Sequence, residues 1–325
     1  MNNPEFLLRV STDPAFGAGH LARMRALRSC FDAPVKWFID PGTKADVRPF
    51  IPAQDDITEE HTKESISQLL SFQKLTATKL IVCDSYQIKC NALASSDAKI
   101  VFFCDDDTES CSANITIVNC QPGATPRANC LCGPRYIPID ARGKQQKKID
   151  FDKFVDPINC LVSFGAVDKN NLTALALEAL SSEKNLRTHI RPICLIGRYF
   201  RHKKAAETLL ALFPKSEIIT GCDSVLNLPI DCPLAIGAPG LSHAERLFLG
   251  MATVLIPQNN AHQILCDKWQ AESCGIVASA QADDIRAKLQ FLMADGFKWA
   301  RALSRHGQEV IDGKGAYRIT ASIGY

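Results

Sequence analysis

Neither sign of charge dominates this chain. Thirty-seven Lys+Arg stand against 35 Asp+Glu in 325 residues, a formal net charge of +2. A generalist binder of nucleic acid or of anionic membranes needs a basic excess, so both classes are disfavoured. No apolar run reaches the roughly 18–20 residues of a bilayer-spanning helix, and no stable membrane insertion is expected. The N-terminal Met-Asn-Asn-Pro-Glu-Phe-Leu-Leu-Arg-Val lacks the basic and apolar regions of a secretory signal, so a cytoplasmic location is expected. Walker A and G-x-S-x-G motifs are absent, which excludes P-loop and serine-hydrolase readings. Cys130-Leu-Cys132 has no second C-x-x-C or H-x-x-x-H to complete a metal site. Neither a metal nor a cofactor is therefore expected.

What the chain does have is apolar content and cysteine. Apolar residues make up 46%, enough for packed cores, and the length suits two domains. The fourteen cysteines are expected to be reduced. Several, such as Cys83, Cys160 and Cys194, lie in apolar runs where a thiol acts as a small hydrophobe.

Short apolar runs alternate with helix-like stretches. Phe6–Val10, Val35–Ile39, Leu80–Cys83, Ile100–Phe103 and Ile115–Val118 read as strands, with helices over 20–30 and 59–72. Residues 142–148 are polar, basic and aperiodic, and read as a linker. The alternation restarts at Cys160–Ser163 and runs through Leu234–Ile236 and Thr253–Ile256 to a helix at 283–294. The expectation is α/β: two doubly wound, Rossmann-like domains, residues 1–140 and 154–325, joined by a linker at 141–153. Such folds bind ligands beyond the carboxyl ends of their strands, commonly in an interdomain cleft.

The loops after strands are where chemistry is expected. Gly17 and Gly19 let the backbone approach a ligand, and His20 opens the following helix. The helix dipole there disfavours an added positive charge, which suits His20 to accept a proton. Its plainer role is a capping histidine. The third glycine position of a dinucleotide fingerprint is occupied by Ala22, so that motif fails. In Gly237-Ala238-Pro239-Gly240-Leu241-Ser242, a strand meets glycines and then a helix start, which suits a diphosphate. Glu245, one turn in, has the reach to accept bonds from ribose hydroxyls; alternatively it merely favours the helix start. Tyr86 follows a strand end and has a hydroxyl to offer a ligand. Ser163 and Gly165 form a further strand-end loop, and Gln263 lies at a polar helix start where capping is the plain alternative. Asp105-Asp106-Asp107 reads as a solvated turn.

These loops, taken in order, resemble one family. The matching segments are Arg9 with Gly17-Ala18-Gly19-His20-Leu21-Ala22-Arg23, Cys83-Asp84-Ser85-Tyr86, Gly133-Pro134-Arg135-Tyr136, Ser163-Phe164-Gly165 through Thr173, Ile236-Gly237-Ala238-Pro239-Gly240 with Glu245, and Asp312-Gly313-Lys314-Gly315-Ala316-Tyr317-Arg318. They resemble the UDP-2,4-diacetamido-2,4,6-trideoxy-β-L-altropyranose hydrolases of pseudaminic acid biosynthesis, relatives of the MurG-type glycosyltransferases, across nearly the whole chain. The resemblance implies a GT-B-like fold and metal-independent, inverting hydrolysis of a UDP-sugar by water. It places the general base on His20 and a catalytic tyrosine on Tyr86. Substrate and UDP contacts fall on Gly17, Gly19, Arg23, Ser163, Gly165, Gly237, Gly240, Ser242, Glu245 and Gln263. The chain departs from the pattern at Ala166, Val167, Pro239 and Leu241, and Pro239 removes one backbone N–H from the diphosphate loop. Two other activities fit the same resemblance: a UDP-sugar-dependent GT-B glycosyltransferase and a catalytically silent sugar-nucleotide binder.

Overall fold

The computed structural model describes residues 6–13, 18–106, 111–112, 114–146, 149–154 and 156–324. They form two compact units, Met1–Ala141 with Gly313–Tyr325, and Arg142–Asp312.

The first unit holds a seven-stranded parallel sheet of β1 (Leu7–Val10), β2 (Lys36–Ile39), β3 (Asp56–Glu59), β4 (Leu80–Asp84), β5 (Lys99–Phe103), β6 (Ile115–Asn119) and β7 (Cys130–Cys132). Their order is β3-β2-β1-β4-β5-β6-β7. Helices α1 (Gly19–Arg28), α2 (Lys44–Val47) and α3 (Ser67–Thr76) lie in the connections. Strands β1 and β4 are buried along their whole length, as strands covered on both faces must be.

The second unit repeats the plan. Its strands are β8 (Ile158–Ser163), β9 (Ile190–Leu195), β10 (Glu217–Ile219), β11 (Leu234–Gly237), β12 (Ala252–Leu255) and β13 (Ile276–Val277). They are ordered β10-β9-β8-β11-β12-β13 and all pair in parallel. Its helices are α4 (Leu172–Ser181), α5 (Lys184–His189), α6 (Lys203–Leu210), α7 (Leu241–Phe248), α8 (Asn260–Ala271) and α9 (Ala282–Val310), the last broken by non-helical Ala294–Phe297. In both sheets the first strand sits beside the fourth, so each has a topological switch point, at β1/β4 and at β8/β11. Cys83, Cys160 and Cys194 are fully buried among apolar side chains. Cys90 and Cys111 are joined in a disulfide, contrary to the expectation of reduced thiols throughout.

Three segments differ from the sequence-based expectation. Residues 59–72 do not form one helix. Asp56–Glu59 pairs with β2 as an edge strand, and the helix starts only at Ser67. Glu60 links the two: its backbone N–H continues the sheet, and its carboxylate accepts from the Leu69 and Gln68 N–H groups at 2.9 and 3.2 Å. The segment expected as a linker is anchored to the second unit. Phe151 is 4% exposed in that unit's core, and Arg301 forks onto Asp152 at 2.5 and 3.2 Å. The chain end joins the first unit rather than the second. There α10 (Gly315–Ser322) follows the Asp312-Gly313-Lys314 turn. Gly315 lies so close to the Ile137 carbonyl that any Cβ would overlap it, and Arg318 Nη1 donates to Arg135 O at 2.9 Å. The glycine and arginine of that motif are thus explained by packing.

One buried carboxylate secures the first unit. Asp55 accepts from Arg28 Nε and Nη2 at 2.6 and 2.8 Å, from Val35 N–H at 3.0 Å and from Trp37 Nε1 at 2.9 Å. Asp55→Ala leaves the Arg28 charge buried and unpaired. The expected cost is about 3–5 kcal/mol, read by urea denaturation; a change below about 1 kcal/mol would contradict this account.

Candidate functional site

The first-unit cluster is built at the β1/β4 switch point. Val10 and Asp84 end their strands as register partners. Beyond Val10 the chain turns over the sheet end, guided by Asp40 at the end of β2. The fully buried Asp40 carboxylate accepts from Arg9 Nη2, Ser11 Oγ and the Thr12 and Asp13 N–H groups at 2.7–3.0 Å. Gly17 lies outside the described residues. Gly19 begins α1 and His20 is its second residue, with no side chain capping the helix.

His20 and Asp84 meet across 64 residues of chain, with Nδ1 2.6 Å from Asp84 Oδ1. An ionised carboxylate can only accept, so Nδ1 carries the hydrogen and Nε2 is the acceptor of the neutral ring. Arg23, one turn along α1, places Nη2 2.8 Å from Asp84 Oδ1 and Nε 3.0 Å from Oδ2. Burial alone would raise the Asp84 pKa. The charges and hydrogen bonds of Arg23 and His20 reverse that and hold it below its ordinary 3.8. Arg23, expected to touch substrate, thus spends its guanidinium on Asp84. The Tyr86 ring meets the His20 ring edge-on, with centroids 4.5 Å apart at 79°. Tyr86 is 56% exposed, His20 only 3%. The Tyr86 hydroxyl donates to Asp105 Oδ2 at 2.8 Å, so the acidic turn after β5 is part of the cluster. Asp107 lies outside the described residues.

The second cluster is built at the β8/β11 switch point, where Gly237 and Ser163 are register partners. A Cβ on Gly237 would overlap the Ser163 carbonyl and stand 2.7 Å from Arg246 Nη1, so only glycine fits. Ser163 is buried, and Gly165 takes a left-handed φ of 82° in the β8–α4 loop. Gly240 is the N-cap of α7, whose first turn, including Ser242, has no side-chain cap. Pro239, which breaks the expected pattern, accepts at its carbonyl from Trp269 Nε1 at 3.1 Å. Glu245 is 6% exposed, and both carboxylate oxygens accept within the protein, from Ser224 Oγ at 2.7 Å and Val225 N–H at 2.9 Å. Burial raises its pKa to about 7 against those bonds. Gln263 is exposed on α8 and donates to Asp267 at 2.9 Å, while Asn259 caps that helix.

The structure therefore groups His20, Arg23 and Tyr86 in one unit, and Ser163, Gly237, Gly240, Ser242 and Glu245 around one turn of the other. Asp84, Asp105, Asp40 and Arg246 were not singled out by the sequence reading as site residues. Asp84 carried a signal in the Asp84-Ser85-Tyr86 segment, and Asp105 in the acidic run Asp105-Asp106-Asp107, which read as a solvated turn. Among the described residues, no three His, Cys, Asp or Glu side chains are placed to hold a metal ion, and no helix is long and apolar enough to cross a membrane.

No protein-family model matches the chain. An uncharacterised protein of Methanocaldococcus jannaschii is 29% identical over 143 residues, 42% of this chain and 29% of that protein's length. The spore coat polysaccharide biosynthesis protein SpsG of Bacillus subtilis is 22% identical over 238 residues, covering 70% of this chain and 69% of that protein. Among solved structures, MurG of Acinetobacter baumannii superposes with a TM-score of 0.71 at 11% identity, covering 98% of both chains. The spinosyn rhamnosyltransferase SpnG, solved with thymidine diphosphate, has a TM-score of 0.67 at 12% identity and covers 98% of this chain and 100% of its own. At these identities the likeness is one of fold, and the fold is that of the GT-B glycosyltransferases: two parallel-sheet α/β domains.

Proposed function

We propose that the protein breaks the glycosyl–diphosphate bond of a nucleotide-activated sugar, with His20 taking the proton from the attacking hydroxyl. The observation that carries this reading is the 2.6 Å contact between His20 Nδ1 and Asp84. Asp84 fixes the tautomer that leaves Nε2 as base and stabilises the imidazolium formed when the proton arrives. Arg23 holds the carboxylate in place. Because His20 is nearly buried beside Tyr86, the hydroxyl must be brought into contact with the ring rather than drawn from open solvent. In the second unit, the uncapped first turn of α7 suits a diphosphate, whose charge rises as the glycosyl bond breaks. Glu245 retains lone pairs for ribose hydroxyls beyond its two protein bonds.

The fold comparisons favour transfer to an acceptor alcohol over the hydrolysis expected from the motifs, and we take glycosyl transfer in polysaccharide biosynthesis as the leading reading. Hydrolysis, with water as acceptor, is the second reading. It rests on the ordered motif set and on Tyr86 standing against His20, as the resembled hydrolases imply. Proton NMR of purified protein with UDP-sugars separates the readings, the UDP-linked diacetamido-trideoxy-altrose first. UDP and free sugar released together without acceptor support hydrolysis. UDP released only on addition of an acceptor alcohol supports transfer. Nucleotide binding with no turnover under any of these conditions would overturn both and leave a silent binder.

A further inference from the structure

Arg246 is among the most deeply buried charged side chains of the second unit, with no exposed surface. It lies near the end of α7, and its side chain runs back toward the helix start, the direction helical side chains favour. There Nη2 donates to Ala238 O at 2.5 Å, and Nη1 lies directly behind Gly237. Nε and Nη1 have no acceptor among the described residues. Glu245, its sequence neighbour, is a weak counter-ion. Its oxygens are engaged with Ser224 and Val225, and burial lifts its pKa to about 7, so at neutral pH it is only partly ionised. Burial lowers the Arg246 pKa as well, to about 10, which still leaves it charged. His243, in the first turn of α7, is kept neutral by burial and by Arg246 itself. The corner thus holds a cation lacking a full partner beneath a glycine turn and an uncapped helix start. Burying a charge without a partner is unfavourable, and a bound anion would relieve it.

We infer that Arg246 is the built-in counter-charge for the diphosphate of a nucleotide bound at the β11–α7 turn, acting from beneath the Gly237–Gly240 backbone. The inference rests on the reading of the second unit as the nucleotide site and adds to it the source of diphosphate selectivity. The guanidinium itself has no exposed surface, so it works in two ways. It holds the Ala238 carbonyl away from the ligand, and it adds positive potential across a few ångströms of protein. Arg246 is a positioning residue, and diphosphate-bearing ligands should feel it while a bare nucleoside does not.

The test compares UDP, dTDP and uridine binding to the full-length wild type, R246M and R246K by calorimetry, with melting of the ligand-free proteins. R246M should weaken UDP and dTDP by on the order of tenfold to a hundredfold, the reach of a unit charge through a few ångströms of protein. Uridine affinity should stay within about twofold, and the ligand-free melting temperature should hold or rise, because a poorly compensated charge has been removed. R246K, which keeps the charge without the planar fork, should retain most of the preference for UDP over uridine. Unchanged UDP binding by R246M overturns the inference. So does an equal loss of UDP and uridine binding with a lowered melting temperature, which marks a purely structural arginine. Should R246M not fold, a folded R246K that no longer prefers UDP to uridine also overturns it, and one that keeps the preference supports it. A wild type that binds none of the three ligands sinks the nucleotide-site reading and this inference together, a result distinct from a wild type that binds UDP alongside an R246M that binds it equally well.

Discussion

Replacing His20 with Asn is expected to cut turnover of the sugar nucleotide by about 10²–10⁴-fold, the usual contribution of a positioned general base. Nucleotide affinity should be unchanged, because the candidate nucleotide-binding residues belong to the other unit. The substitution replaces a ring by an amide that still donates to Asp84 but offers no proton acceptor in the place of Nε2. Stability should change little, since Asp84 keeps its bonds to Arg23. The measurement is single-turnover release of UDP by quenched flow, paired with UDP calorimetry. Turnover within about fivefold of wild type would remove His20 from the base role and with it the mechanism proposed above.

Asp84→Asn has the second large effect, and it acts on stability and activity together. The amide cannot satisfy both partners. With its oxygen toward His20 Nδ1–H, its NH₂ faces the Arg23 Nε–H; reversed, its NH₂ donates to Nδ1 and drives the imidazole hydrogen onto Nε2, where the base must accept. The Arg23 charge also loses its partner. Breaking such a buried pair typically costs about 3–5 kcal/mol, and we expect the lower end because Arg23 is 14% exposed. Turnover should fall by roughly 10²–10⁴-fold through the wrong tautomer.

The pH dependence of that stability difference has a definite sign. The Asp84 pKa is depressed in the folded state, so its stabilisation is fully present above the ordinary value of 3.8 and is lost as pH falls through the lower folded value. The gap between wild type and Asp84→Asn in urea denaturation should therefore narrow as pH falls below about 4. A gap that persists unchanged well below about pH 4 would contradict the assigned ion pair.

Much of this molecule is legible in its sequence. Runs such as Leu80–Cys83 and Ile100–Phe103 are short, apolar and bounded by loops, a pattern that suits a strand buried on both faces. Their alternation with helices specified parallel sheets, and the glycines after β1, β8 and β11 marked the strand ends where both clusters lie. The helical spacing over 59–72 misled, because pairing with β2 turned its first residue into the end of an edge strand and moved the helix start to Ser67. The basic run at 142–148 concealed the nearby anchor at Phe151, a single aromatic that no periodicity distinguishes from a linker residue.

The class of fold and the loops that carry polar groups follow from local patterns a few residues long, and the chain alone specifies both. Partnership is a matter of tertiary packing. Parallel strands need long crossovers, so the groups that meet at a switch point are far apart in the chain. Asp84 is separated from His20 by 64 residues and Asp40 from Arg9 by 31, and α10 returns to the first unit from the far end of the chain. No local pattern says which carboxylate a buried arginine will meet, or, for Arg246, that its Nε and Nη1 will find no acceptor among the described residues. Burial and strand order settle that, and with it which polar residues are held in place and which are left to bind.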